Sequence, residues 1–128
     1  MSNYPYDGSF DPPAPVVEVI LGAPGVVPDR GVRALLDSGA DQTTIPEGVA
    51  RDLGLAQLDE IDIFGIEQKA FRSRVYLVSA KIRELPTIEL EVLSWTGTYA
   101  LIGRDLLNRV RIVLDGPEHV LTIEGAVP

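Results

Sequence analysis

No cysteine occurs in the 128-residue chain. Disulfides and thiolate metal sites are therefore excluded, and the fold must rest on packing alone. A single histidine, with no His/Asp/Glu spacing pattern around it, leaves little for a transition metal. The glycines form no phosphate-binding string. The longest apolar runs are far too short to span a bilayer, and residues 1–15 have no basic start followed by an apolar stretch. A membrane span and a secretory signal are thus not expected, and the expected location is cytoplasmic. Basic residues are few (11 against 19 acidic) and scattered, which argues against a nucleic-acid face. No internal repeat is visible. The Met1 start favours a free-standing product, natural or engineered.

Apolar residues make up 45% of the chain, enough for one domain with one core. Residues 1–15, rich in Tyr, Pro, Gly and Asp, read as a flexible N-terminal arm ahead of a domain spanning 16–128. Val16–Leu21 and Val32–Leu36 read as buried strands. Thr44, Pro46 and Glu47 read as the start of a short helix capped by Thr44, with Gly54 as its stop. Residues 61–66 and 70–79 read as the arms of a long β-hairpin with a polar, mobile tip. Ile82–Leu85, Ile88–Leu93 and Tyr99–Ile102 are further strands. Asp105–Arg109 has room for one or two helical turns. Arg111–Leu114 and Val120–Ile123 bracket a turn at Asp115-Gly116-Pro117-Glu118-His119. Many short strands and little helix mean an all-β domain.

The most informative string is Ala34-Leu35-Leu36-Asp37-Ser38-Gly39-Ala40-Asp41. A carboxylate that ends an apolar strand, beside a glycine that lets the chain turn, can sit at the floor of a cleft. Alone, Asp-Ser-Gly reads as a turn. A second string, Ala100-Leu101-Ile102-Gly103-Arg104-Asp105-Leu106-Leu107, follows it. Together the two resemble the retropepsin-like aspartic proteases, which pair an apolar-apolar-Asp-Thr/Ser-Gly-Ala segment with a later apolar-apolar-Gly-Arg-Asp/Asn-Leu-Leu segment. Ser38 stands where Thr is commoner, and Asp105 where retroviral members often have Asn. The 19 residues from Val110 to Pro128 form a hairpin where retroviral enzymes end in one strand, which is closer to cellular and bacterial members.

The resemblance implies a closed β-barrel of the acid-protease half-domain type with one or two short helices. It implies an aspartic endopeptidase that needs no cofactor and no metal. That chemistry uses two carboxylates sharing one proton, one acting as base on a water and the other as acid toward the peptide carbonyl. Only one such Asp string exists here, so the expected enzyme is a homodimer acting on a peptide or protein substrate, with Asp37 facing its symmetry mate. By resemblance the catalytic set is Asp37, Ser38 and Gly39. Leu35, Ala40, Asp41, Gly65, Ile66 and Leu101 would contact substrate, with Gly65 and Ile66 near a flap tip. Asp41 and Arg104 would form a buried ion pair that braces the loop. Two alternatives use the same fold: a non-catalytic dimerisation or peptide-binding module, and a precursor inhibited by its 1–15 arm.

Overall fold

The computed structural model describes residues 2–64 and 70–125. Its strands are β1 (Ser2–Pro5), β2 (Val16–Gly22), β3 (Arg30–Leu36), β4 (Thr44–Pro46), β5 (Gln57–Phe64), β6 (Ala70–Ile82), β7 (Ile88–Trp95), β8 (Ala100–Ile102), β9 (Val110–Asp115) and β10 (Val120–Gly125). Two short helices, α1 (Glu47–Asp52) and α2 (Arg104–Leu107), interrupt them. The larger sheet runs β2-β3-β8-β4-β7-β6-β5, and an added β2–β6 pairing closes its first six strands into a barrel. β5 hangs outside that ring and, among the described residues, pairs only along β6. β1, β10 and β9 form a separate three-stranded sheet.

Alternation explains the barrel. Val17, Val19 and Leu21 on β2 and Val32 and Ala34 on β3 point inward, while Glu18 and Arg33 point out. Ile45, Val78, Val92, Ala100 and Ile102 complete the fully buried centre. Leu121 and Ile123 fasten the smaller sheet to the same core. Burying such side chains supplies roughly 1.5–3 kcal/mol each, the main force holding a domain without disulfides.

Two local expectations change and one holds. Thr44 does not cap a helix: Thr44–Pro46 is a strand, parallel to β7 with Thr44 opposite Leu93, and α1 begins at Glu47 with Pro46 at its N-cap. The β-sheet ladder outcompetes a cap when a β-branched pair lies against an open strand. Gly54 does end the helical segment, in the left-handed region at φ 65°. Ile82–Leu85 is not a strand, because the chain leaves β6 at Ile82 and turns through Arg83 at φ 49°, with the Leu85 N–H bonded to the Ile82 carbonyl.

Residues 2–15 of the segment read as a loose arm are docked. Ser2–Pro5 pairs antiparallel with β10, and Asp7 bridges to Ala14 across a closed loop. Prolines at Pro5, Pro12, Pro13 and Pro15 limit regular structure, but β1 sits at a sheet edge, where a missing N–H is tolerated.

Candidate active site

β3 and β8 run parallel, with Leu35 opposite Leu101 and Leu36 opposite Ile102. Where β3 ends, the Asp37 N–H still donates to the Ile102 carbonyl at 2.9 Å, so the carboxylate is positioned by the last rung of a ladder. The chain then turns back: the Ala40 N–H donates to the Asp37 carbonyl at 3.1 Å, and the Gly39 N–H donates to Asp37 Oδ1 at 3.1 Å. A Cβ at Gly39 would lie 3.3 Å from the same oxygen. Asp37 is half-buried, whereas Ser38 and Gly39 are exposed. The result is a carboxylate on a fixed turn with its neighbours open to an incoming chain.

This turn is braced from the second motif. The Arg104 N–H donates to the Ala40 carbonyl at 2.8 Å, and Arg104 Nη1 donates to the Ser38 carbonyl at 2.8 Å. No ion pair joins Arg104 to Asp41 among the described residues, and both side chains are exposed, so the expected buried pair is corrected. The guanidinium satisfies a loop carbonyl instead, since that carbonyl would otherwise lack a partner.

The carboxylate that braces the loop is Asp105, which the sequence analysis treated only as a departure from Asn. Both its oxygens accept from the Thr43 N–H, at 3.1 and 3.0 Å, and Oδ1 also accepts from the Thr43 hydroxyl at 2.7 Å. Thr43 Oγ1 in turn accepts the Gly103 N–H at 3.2 Å. Thr43 is 2% exposed, so these bonds are shielded from water. Gly103 is required at the crossing, because a Cβ there would lie 2.6–2.9 Å from the backbone of Gln42. An Asp in the first turn of a short helix, two residues after a Gly, was the available signal.

Leu35 and Leu101 are half-buried on the barrel face opposite the core, as a substrate wall would need. Ala40 lies half-buried in the turn. Gly65 and Ile66 lie outside the described residues. Beside Ser38 an apolar hollow of about 310 Å³ is lined by Pro15, Leu36, Leu107, Ile112 and Leu114.

Residues 23–109 match the family described as "gag-polyprotein putative aspartyl protease". The chain belongs to that family. No curated protein sequence matches it. Among solved structures, the retropepsin-like aspartic protease from Rickettsia conorii superposes with TM-score 0.60 at 14% identity, covering 98% of this chain and 94% of that one. The EIAV protease, solved with the inhibitor HBY-793, gives 0.58 at 20% identity, over 74% of this chain and 86% of that one. The simian foamy virus (mac) protease gives 0.55 at 23%, over 73% and 92%. The fold is thus retropepsin-like, as the two motifs implied.

Elsewhere in this retropepsin-like barrel, one polar cluster fastens the β5–β6 hairpin to the body. Glu47 Oε1, at the start of α1, accepts from Arg74 Nη1 and from the Tyr76 hydroxyl, both at 2.7 Å. Arg74 also approaches Glu60 on β5 at 3.8 Å. Burial pushes the Glu47 carboxyl up, but polar contact from Ser94, the Tyr76 and Arg74 hydrogen bonds and the guanidinium charge together hold it below the ordinary value of 4.5. Ser94 makes no hydrogen bond of standard geometry to it, and Oε2 is buried without a partner. Burial and the neighbouring Glu47 raise the Tyr76 hydroxyl.

Proposed function

We propose that the chain is an aspartic endopeptidase active as a homodimer, in which Asp37 from each of two copies shares one proton. A water between them loses a proton to the ionised carboxylate and attacks the scissile carbonyl. The protonated partner delivers its proton to the carbonyl oxygen, giving a tetrahedral diol. Collapse of the diol, with a proton passed to the amide nitrogen, releases a carboxylic acid and an amine. Because one carboxyl must be protonated while the other is ionised, cleavage is expected to favour acid.

One observation carries this reading: the braced Asp37 turn opens beside an uncovered apolar surface. Ser38 borders the hollow lined by Leu36, Leu107 and Leu114. β9 is an edge strand of its sheet, and Val113 and Leu114 on it are 52% and 54% exposed. An unpaired edge with exposed apolar side chains invites a second strand, and a second copy would bring its own Asp37 turn to the same surface. Leu35 and Leu101 then flank an extended peptide.

The test is cleavage of a mixed peptide library from about pH 3 to 7, where coupled carboxyls titrate, with an Asp37→Asn chain alongside. Acid-favoured cleavage lost in the variant supports the proposal. No cleavage at concentrations where the protein is dimeric would replace it with a peptide-binding module.

A further inference from the structure

A second apolar hollow, of about 330 Å³, lies where the turn between β6 and β7 faces the junction of α2 with β9. On one side the chain leaves β6 at Ile82, turns through Arg83 and brings Leu85 and then Ile88 round the space. Ile88 is fixed there by its pairing with Ala80 on β6. On the other side stand Leu106 of α2 and Val110 of β9, and Val110 is held in place by its pairing with Gly125. Leu85, Ile88 and Val110 are half-buried, so the walls are firm while the mouth is open. Among the described residues, this hollow shares only Val110 with the one beside Ser38.

Its charges are unlike those of the rest of the chain. Lys81 and Arg109 border it, and among the described residues no acid does. Arg109 spends one N–H on the fold, its Nε donating to the Asp105 carbonyl at 3.1 Å. Lys81 is half-buried and, among the described residues, makes no hydrogen bond or ion pair. In a chain with 19 acidic and 11 basic side chains, two cations together without an acid between them are a local reversal of sign.

Protein interiors close up around gaps larger than a water molecule, so an open apolar space of this volume is suited to an occupant. A neutral apolar molecule would leave the half-buried ammonium without a counter-ion. A small inorganic anion would leave the apolar walls uncovered and lose its own hydration against them. An apolar tail carrying one negative charge satisfies both surfaces. Size narrows the class further. At the roughly 30 Å³ that a water-sized group occupies in a liquid, the hollow takes about eleven such groups, too few for a full-length lipid chain.

We propose that this hollow binds a small amphipathic monoanion, a medium-chain carboxylate of about ten non-hydrogen atoms. Its tail lies against Leu85, Ile88, Leu106 and Val110, and its carboxylate meets Lys81 and Arg109. The site does not include Asp37 and stands whether or not the chain is a peptidase.

The experiment titrates octanoate, octanol and octylammonium separately into the full chain and follows the leucine, isoleucine and valine methyl signals by NMR. Octanoate should bind with a Kd of about 1 mM or below and shift the methyls of Leu85, Ile88, Leu106 and Val110. Octanol should bind about fivefold more weakly at the same methyls, and octylammonium should not bind. Lys81→Met keeps the apolar stem and removes the charge. It should bring octanoate down to the level of octanol and leave octanol unchanged, whereas Lys81→Arg should keep the preference. Equal affinity for octanoate and octanol, no effect of Lys81→Met, or shifts confined to other methyls would each overturn the site. So would an octanoate affinity that weakens as chain concentration rises, which would assign the hollow to a second copy. Binding seen only after residues 126–128 are removed would overturn it too, in favour of the chain's own continuation.

Discussion

Asp105 offers the sharpest test of how the site is held. Replacing it by Ala removes the acceptor of the Thr43 N–H and of the Thr43 hydroxyl, on a residue only 2% exposed. The Leu106 N–H retains the Gly103 carbonyl at 3.1 Å and is not orphaned. Each buried donor left without a partner costs about 1–3 kcal/mol, so the two together cost about 3 kcal/mol. For a chain of this size that is a fall in Tm of about 12 °C. Asp105→Asn keeps a carbonyl for the Thr43 hydroxyl but meets the N–H less well, and should cost about 1 kcal/mol. Urea unfolding at fixed chain concentration measures both, since a dimer of the kind proposed would make stability concentration-dependent. Cleavage should fall in the same order, because the loop between Asp37 and Thr43 loses its anchor. An Asp105→Ala chain within about 0.5 kcal/mol of wild type would refute the brace.

Gly103→Ala sets a methyl against the Gln42 backbone and should cost about 2 kcal/mol or more in urea unfolding, with loss of cleavage. Leu114→Asp puts a charge on the exposed edge of β9; it should leave circular dichroism unchanged while sedimentation shows a monomer and activity disappears. Glu47 has its carboxyl lowered in the folded state, so its contribution is present above the ordinary value of 4.5 and is lost as pH falls through the lowered one. The stability gap between wild type and Glu47→Gln should therefore be widest at neutral pH and close as the pH falls below the ordinary value of 4.5; a gap that widens in acid would contradict the assignment.

How legible all this was in the sequence depended on the range of the interaction. Most strands of the barrel declared themselves through alternation or β-branched runs, and the Asp37 turn and the Gly103 crossing through motif. Thr44–Pro46 misled because a three-residue strand is made by its neighbours, here β7 and β8, and three residues are too few to show a period. Ile82–Leu85 read as a strand from Ile82 and Leu85, and the left-handed backbone at Arg83, which turns the chain, leaves no mark in the residue pattern. The Arg104 contact was placed on the right loop but on the wrong acceptor, since a carbonyl leaves no trace in a residue pattern. Thr43 and Asp105 are 62 positions apart, and no local rule joins them. Residues 2–15 are held by Arg33, Tyr99 and β10, all distant in sequence, whereas their composition spoke only of prolines and glycines.

The central claim is that one active site takes an Asp37 from each of two chains. Mixing wild type with increasing Asp37→Asn chain, and allowing subunits to exchange, tests it most directly. If the dyad is shared, every mixed dimer is dead, and activity per wild-type chain falls to about half at an equal mixture. Activity per wild-type chain that stays constant across the titration would mean that each chain carries a complete site, and would contradict the account.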